Sequence, residues 1–295
     1  MLPFYHLVSD APPLFVKQLY KPKTINQFKN DLDVFLKYYE PITLEQVIQY
    51  NKGEIELTKP SFHLTFDDGL ANFHHVIAPI LIKKNIPATV FLNTDFIDNK
   101  ELFYRYKASI LMFKVGKANM IDINTGNVND LLKNSYKDRH LLDDLAKEVD
   151  FDIKEFLKKE KPYLSLKQIK KLQTQGFTFG AHSANHPLYK NITLEEQLKQ
   201  TRESLKWVKD NLQEKYAVFS FPFHDINVSK QFFNLIQNDV ALTFGTSGFK
   251  TDSVSNNLHR LDMEKSLRST EKYLIREHLK FIVKNIFGKH KITRE

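Results

Sequence analysis

Four times in this chain a serine or threonine is followed three residues later by glutamine or glutamate, and each time an amphipathic run comes next. The four are Thr24-Ile25-Asn26-Gln27, Thr43-Leu44-Glu45-Gln46, Ser165-Leu166-Lys167-Gln168 and Thr193-Leu194-Glu195-Glu196. This is the form of a capping box, in which side chains satisfy backbone N–H groups left open at a helix start. It predicts helices from residue 24 to about 38, from 43, from 165 and over 193–212, with further helices over about 72–84 and 229–238. Between them lie short runs rich in β-branched and aromatic residues, predicted as strands at 2–8, 61–66, 88–92, 178–181, 217–221 and 241–245. Strands alternating with helices make an α/β protein with a mainly parallel sheet. At 295 residues, 42% of them hydrophobic, the chain can bury a sizeable core as one domain over 1–295. The alternation lapses over 98–162 into charged helical segments, 104–117 and 140–159. These read as an insertion in a βα loop, either a lid over a site or a packing element.

Chemistry concentrates where one strand ends. Ser61-Phe62-His63-Leu64-Thr65-Phe66 runs into Asp67-Asp68-Gly69, two adjacent carboxylates and a glycine that lets the chain turn sharply. Like charges at close range raise one pKa unless a cation or hydrogen-bond donors offset them, so the pair asks for a partner. Gly180-Ala181-His182-Ser183-Ala184-Asn185-His186-Pro187 offers one, because residues i and i+4 on a turn-like backbone face the same side and can bind one metal through two imidazoles. Two histidines and one carboxylate make the ligand count of a hydrolytic zinc site. With no cysteine in the chain, any metal must use His, Asp or Glu.

Thr65-Phe66-Asp67-Asp68-Gly69 followed by His182-Ser183-Ala184-Asn185-His186-Pro187 resembles the first two signature motifs of the polysaccharide deacetylase family, carbohydrate esterase family 4. The resemblance extends from the Phe4-Tyr5-His6 strand to about Leu261. It implies a distorted (β/α) barrel with the 98–162 segment as a helical insertion. It also implies Asp68, His182 and His186 as ligands of a divalent metal, most simply Zn2+, and Asp67 as general base. Phe219-Ser220-Phe221-Pro222-Phe223 is similar to the third motif and implies the Phe223 backbone N–H as oxyanion donor. Some members carry an arginine two residues before that proline to orient the base, where this chain has Ser220.

For the general acid the family uses a histidine preceded by leucine after a late strand, and Leu258-His259 is the nearest match, although Arg260 stands where an acidic neighbour is usual. His224 and His6 are the other candidates. His63 reads as packing, His74 and His75 as rim residues, His140, His278 and His290 as surface, and Trp207 as core.

The net charge of +8 fits an anionic partner or a solvated lysine-rich surface. No nucleic-acid recognition signature accompanies it, so no nucleic-acid partner is expected. No basic-then-apolar leader and no bilayer-length apolar run is present, which points to a cytoplasmic protein. The C-terminal segment, 266–295, reads as a basic amphipathic helix that either packs on the barrel or lies on an anionic membrane. The expected function is a metal-dependent hydrolase removing N-acetyl groups from a sugar in a polysaccharide, oligosaccharide or glycolipid. The alternatives are a glycan-binding protein without turnover on the same fold, or a deacetylase of O-acetyl esters.

Overall fold

The computed structural model describes residues 1–117, 136–266 and 269–295. Eight short strands form one sheet, paired in parallel throughout: β1 (Pro3–Tyr5), β2 (Leu64–Phe66), β3 (Ala88–Leu92), β4 (Thr178–Ala181), β5 (Val218–Ser220), β6 (Leu242–Gly245), β7 (Asn257–His259) and β8 (Leu261–Asp262). Their order is β7-β6-β5-β4-β3-β2-β1-β8. The two end strands are consecutive pieces of one segment, which closes the sheet. On one side Arg260 N–H donates to Gly245 O (3.0 Å), and on the other Leu261 N–H donates to Leu2 O (2.8 Å). The result is the expected distorted barrel. The closing segment was not predicted as strand, because Asn257, His259 and Arg260 break its apolar alternation.

The helices are α1 (Ile25–Tyr38), α2 (Leu44–Asn51), α3 (Ala78–Lys83), α4 (Tyr104–Lys117), α5 (Arg139–Glu148), α6 (Ile153–Glu160), α7 (Leu166–Thr174), α8 (Leu194–Leu212), α9 (Lys230–Ile236) and α10 (Thr270–Ile286), and α1, α2, α7 and α8 start where their capping residues mark them. Thr24, Thr43 and Ser165 make complete capping boxes. Thr193 caps only through its own side chain. Its would-be partner Glu196 accepts instead from Gln200 Nε2 (3.0 Å), and this orients Gln200 Oε1 to receive the N–H groups of Ala184 and Asn185 (3.2 Å each). A helix residue thereby holds the loop that carries the two histidines.

Several expected boundaries shift. The first strand spans three residues rather than 2–8. The 61–66 run splits at His63, with Ser61–Phe62 pairing with Glu40–Pro41. The 72–84 helix begins as a π turn, Phe73–Ile77. The 140–159 segment is two helices, with Asp150 in a left-handed conformation between them. The C-terminal helix ends at Ile286, and Lys291–Ile292 then pairs in parallel with Thr251–Asp252.

Side chains alternate across the sheet. Phe62, Leu64 and Phe66 face the helices and join the main core with Phe28, Leu32, Phe73 and Phe177. Thr65 faces the barrel interior, where Arg260 Nη1 donates to its hydroxyl. His63 is the packing residue expected, held between Ile42 O (2.7 Å) and Thr89 Oγ1 (2.8 Å), and burial pushes its pKa down to about 4. The insertion builds a second core from Phe103, Tyr106, Leu111, Leu142 and Leu157 against Leu7, Phe15 and Leu70 of the barrel rim. Trp207 packs against the main core, half-buried.

Candidate active site

Most chemistry-bearing residues at the barrel mouth follow the C-terminal end of a strand: His6 after β1, Asp67 and Asp68 after β2, His182 and His186 after β4, Phe223 after β5 and Arg260 between β7 and β8. Parallel strands deliver these positions to one rim. Three of the residues have positive φ without being glycine: Asp68 (+70°), His186 (+63°) and Phe223 (+58°). Backbone strain of this kind costs about 1–3 kcal/mol per residue and persists where surrounding contacts enforce it. Gly69 continues the turn at φ +62°, where a Cβ would come within 2.9 Å of Leu92.

The structure brings Asp68, His182 and His186 together. Asp68 Oδ1 lies 3.2 Å from His186 Nε2 and 3.6 Å from His182 Nε2. Two ligand atoms of a tetrahedral site with bonds of about 2.0–2.1 Å stand roughly 3.3 Å apart, so these separations fit one shared ion. The polar valences agree. Asp68 Oδ1 and His182 Nε2 are buried and lack a hydrogen-bond partner among the described residues, a costly state unless something fills the gap. His182 Nδ1 lies 2.8 Å from Ser220 O, which fixes the proton on Nδ1 and leaves the Nε2 lone pair facing Asp68. Burial pushes the His182 pKa down to about 4, against the pull of Asp67, so the ring is neutral as a ligand must be. His186 is clamped between the rings of Phe103 (4.4 Å) and Phe223 (4.6 Å).

Asp67 stands apart from this set. Burial alone would raise its pKa, but the charge of Arg260, with His182 and His6 behind it, holds it below the usual carboxylate range. Arg260 makes a bidentate pair with it, Nη1 to Oδ1 and Nη2 to Oδ2, both 2.7 Å, and Nη2 also donates to Ser220 Oγ (2.6 Å). Arg260 thus grips Asp67 from the barrel-closing segment, and Ser220, which stands where some members carry an arginine, anchors it. Sequence reasoning missed this because it took Arg260 only as a departure beside His259. A shift of one residue moves a side chain to the other face of a strand.

The same shift turns His259 away from the cleft. Its buried ring is turned to Asp252 (Nε2 to Oδ2, 3.0 Å) and does not line the catalytic cleft. His6 does line that cleft, with Nδ1 2.8 Å from Glu264 Oε2. Burial works to lower the His6 pKa, but Glu264, with Asp68 and Asp67 beyond it, raises it from 6.5 to about 10. His224 is half-buried, with its Nδ1 accepting from Ile226 N–H. His74 and His75 pair with each other on the surface and do not line the cleft. His140 and His278 are exposed as expected, whereas His290 is half-buried.

The cleft, about 510 Å³, is walled by Phe4, Tyr20, Phe103, Arg105, Tyr106 and Phe223 around Asp67, Asp68 and His186. Tyr106, from the insertion, donates its hydroxyl to Asp68 Oδ2 (2.9 Å). Phe103 and Tyr106 gave no sequence signal, since aromatic residues in or beside a helix most often mean core.

The sequence model of the polysaccharide deacetylase family matches residues 54–244. The chain is 29% identical over 149 residues to the poly-beta-1,6-N-acetyl-D-glucosamine N-deacetylase of Staphylococcus aureus strain MRSA252, covering 46% of this chain and 50% of that one. The protein of the same name from strain N315 is 28% identical, with the same coverage. The chain thus spans about half the length of the curated relatives it matches. Among solved structures, the Streptococcus pyogenes deacetylase PplD in complex with acetate superposes with a TM-score of 0.61 at 17% identity, covering 92% of this chain and 95% of that one. IcaB from Ammonifex degensii gives a TM-score of 0.59 at 14% identity, covering 94% of each. At such identities the likeness is one of fold.

Proposed function

The chain belongs to the polysaccharide deacetylase family, and from that premise we propose that it is a metal-dependent carbohydrate N-deacetylase whose substrate is an N-acetylglucosamine polymer or oligomer. The observation that carries this reading is the division of labour between the two aspartates. Asp68 turns an unpaired oxygen toward His182 and His186, while Asp67, beside it, is kept ionised by its bidentate pair with Arg260.

Asp68, His182 and His186 would hold the ion, zinc being the simplest fit to a His2Asp set. When bound, it would polarise the acetamide carbonyl and lower the pKa of water at the site. The remaining steps belong to the chain. The Asp67 carboxylate accepts the proton of the water that attacks the carbonyl carbon. The Phe223 N–H, which has no acceptor among the described residues, donates to the oxygen on which negative charge develops. His6, protonated and held by Glu264, gives its proton to the sugar nitrogen as the C–N bond breaks, so the products are acetate and an amino sugar. His6 replaces His259 in this role. The non-catalytic alternative rested on a missing arginine and an unplaced acid, and the Arg260–Asp67 pair together with the position of His6 beside Glu264 in the cleft favour turnover over it.

The names of the Staphylococcus aureus relatives support β-1,6-linked N-acetylglucosamine as the first substrate to try. The test is acetate release from such oligomers and from O-acetylated glycans, before and after chelation and with zinc restored. Release from the N-acetylated set that disappears with the chelator and returns with zinc supports the proposal. A zinc-loaded protein that releases no acetate from any N-acetylated glycan overturns it.

A further inference from the structure

Helix α10 (Thr270–Ile286) is attached to the barrel along one side only. Thr270, Tyr273 and Leu274 are buried, Tyr273 donates its hydroxyl to Asp262 O (2.7 Å), and Lys37 and Tyr38 of α1 hold Glu271. Its other side carries Ile275, Leu279, Ile282, Val283 and Ile286, spaced by four, three, one and three residues, which is one continuous stripe at 100° per residue. The stripe faces solvent: Ile275 is 59% exposed, Ile286 74% and the helix-ending Phe287 71%, the last two being the highest values among the exposed large hydrophobic residues described. Packing on the barrel, one of the two sequence expectations, therefore accounts for only one side of this helix.

The charge beside the stripe says what covers it. Arg276, Lys280 and Lys284 each follow a stripe position directly, at 275, 279 and 283, and so form a basic margin along it, with Lys272 one turn before. From 270 to the last residue there are seven lysines and arginines against three glutamates, half of the net charge of +8. Lysine and arginine stems can lie along an apolar surface while their heads reach to either side. A second copy would bring an equally basic segment against this one. We propose that the exposed face of α10 lies in the surface of an anionic lipid bilayer, with its aliphatic stripe among the acyl chains and its basic margin on the phosphates. Among the described residues no helix is long and apolar enough to cross a membrane. The contact is thus an interfacial one, and it does not depend on the deacetylase reading.

The test is co-sedimentation of the full chain with vesicles of phosphatidylcholine alone or with 30% phosphatidylglycerol, alongside light scattering of the protein in solution. I282E/I286E alters only exposed side chains, so its melting temperature and its acetate release from soluble oligomers should match the parent protein. The expected result is binding to the anionic vesicles that falls about tenfold or more without phosphatidylglycerol and is lost in I282E/I286E. K280Q/K284Q should weaken it by about thirtyfold, from roughly 1 kcal/mol per basic residue. No binding to the anionic vesicles overturns the proposal, and a two-chain mass that I282E/I286E halves would then assign the face to a second copy. Equal binding by I282E/I286E also overturns it, because the contact would lie elsewhere.

Discussion

Two clusters in this protein have nearly the same composition and opposite chemistry. At the barrel mouth stand Asp67, Asp68, His182, His186 and Arg260. Near the barrel closure stand Asp225, Asp252, His259 and Arg294, and the second set also offers three ligand atoms within 4.8 Å of one another. The difference is where the arginine goes. Arg294 bridges both carboxylates of its cluster, donating to Asp225 Oδ2 and to Asp252 Oδ2 (2.6 Å), while Asn257 donates to both and His259 to Asp252. One atom there lacks a partner, Asp225 Oδ1, and it lies against Gly245, where even a Cβ would meet it at 2.5 Å. At the mouth Arg260 takes only Asp67, so Asp68 and His182 keep valences that nothing among the described residues fills. A candidate metal site is marked less by its residue types than by buried ligand atoms left open beside a cleft.

The comparison is broken most directly by removing a ligand on each side. Asp68→Ala or His182→Ala should lose the bound ion, with acetate release falling by about three orders of magnitude or more. His259→Gln should leave metal content unchanged by elemental analysis, and a loss of the ion in that variant would make the second cluster the metal site. The acid is separated next. His6→Gln should lower kcat on the order of 10²- to 10⁴-fold with metal retained, whereas His259→Gln should leave kcat near that of the parent, and the reverse would restore His259 to the role first expected.

The arginines differ in what their loss exposes. Arg260→Gln leaves Asp67 buried and uncompensated, a cost of about 3–5 kcal/mol, and raises the Asp67 pKa, so the acid limb of the activity profile should move upward. Arg294→Gln should cost stability in urea melts without moving that limb. His6 gives the alkaline side its sign. Its pKa is raised in the folded protein, so the stability it contributes is fully present below its ordinary 6.5 and is lost as pH rises through about 10. Activity needing its proton should accordingly fall near pH 10, and in Glu264→Gln the alkaline limb should move down toward 6.5. The smallest effect is expected for Tyr106→Phe, which removes one hydrogen bond to Asp68: about 1 kcal/mol of stability and roughly tenfold in metal affinity, read by competition with a chelator.

Much of this was legible in the sequence because the information is local. Capping side chains bond N–H groups three residues away, so Thr24, Thr43 and Ser165 announced their helices unaided. Asp67, Asp68, His182 and His186 sit in two short segments, and their convergence follows once both are placed after parallel strands. Arg260, Glu264 and Tyr106 were not legible. Arg260 is 193 residues from the carboxylate it binds, Glu264 is 258 from His6, and Tyr106 is 38 from Asp68. Which of His259 and Arg260 turns to the barrel mouth depends on a one-residue register set by hydrogen bonds to Gly245 on one side and Leu2 on the other, and no pattern within that segment encodes it. The exposed stripe of α10 is of the same kind. Its periodicity was plain in the sequence, but periodicity shows only that a face exists, and the barrel, by gripping the opposite side of the helix, decided that this face would be left to the solvent.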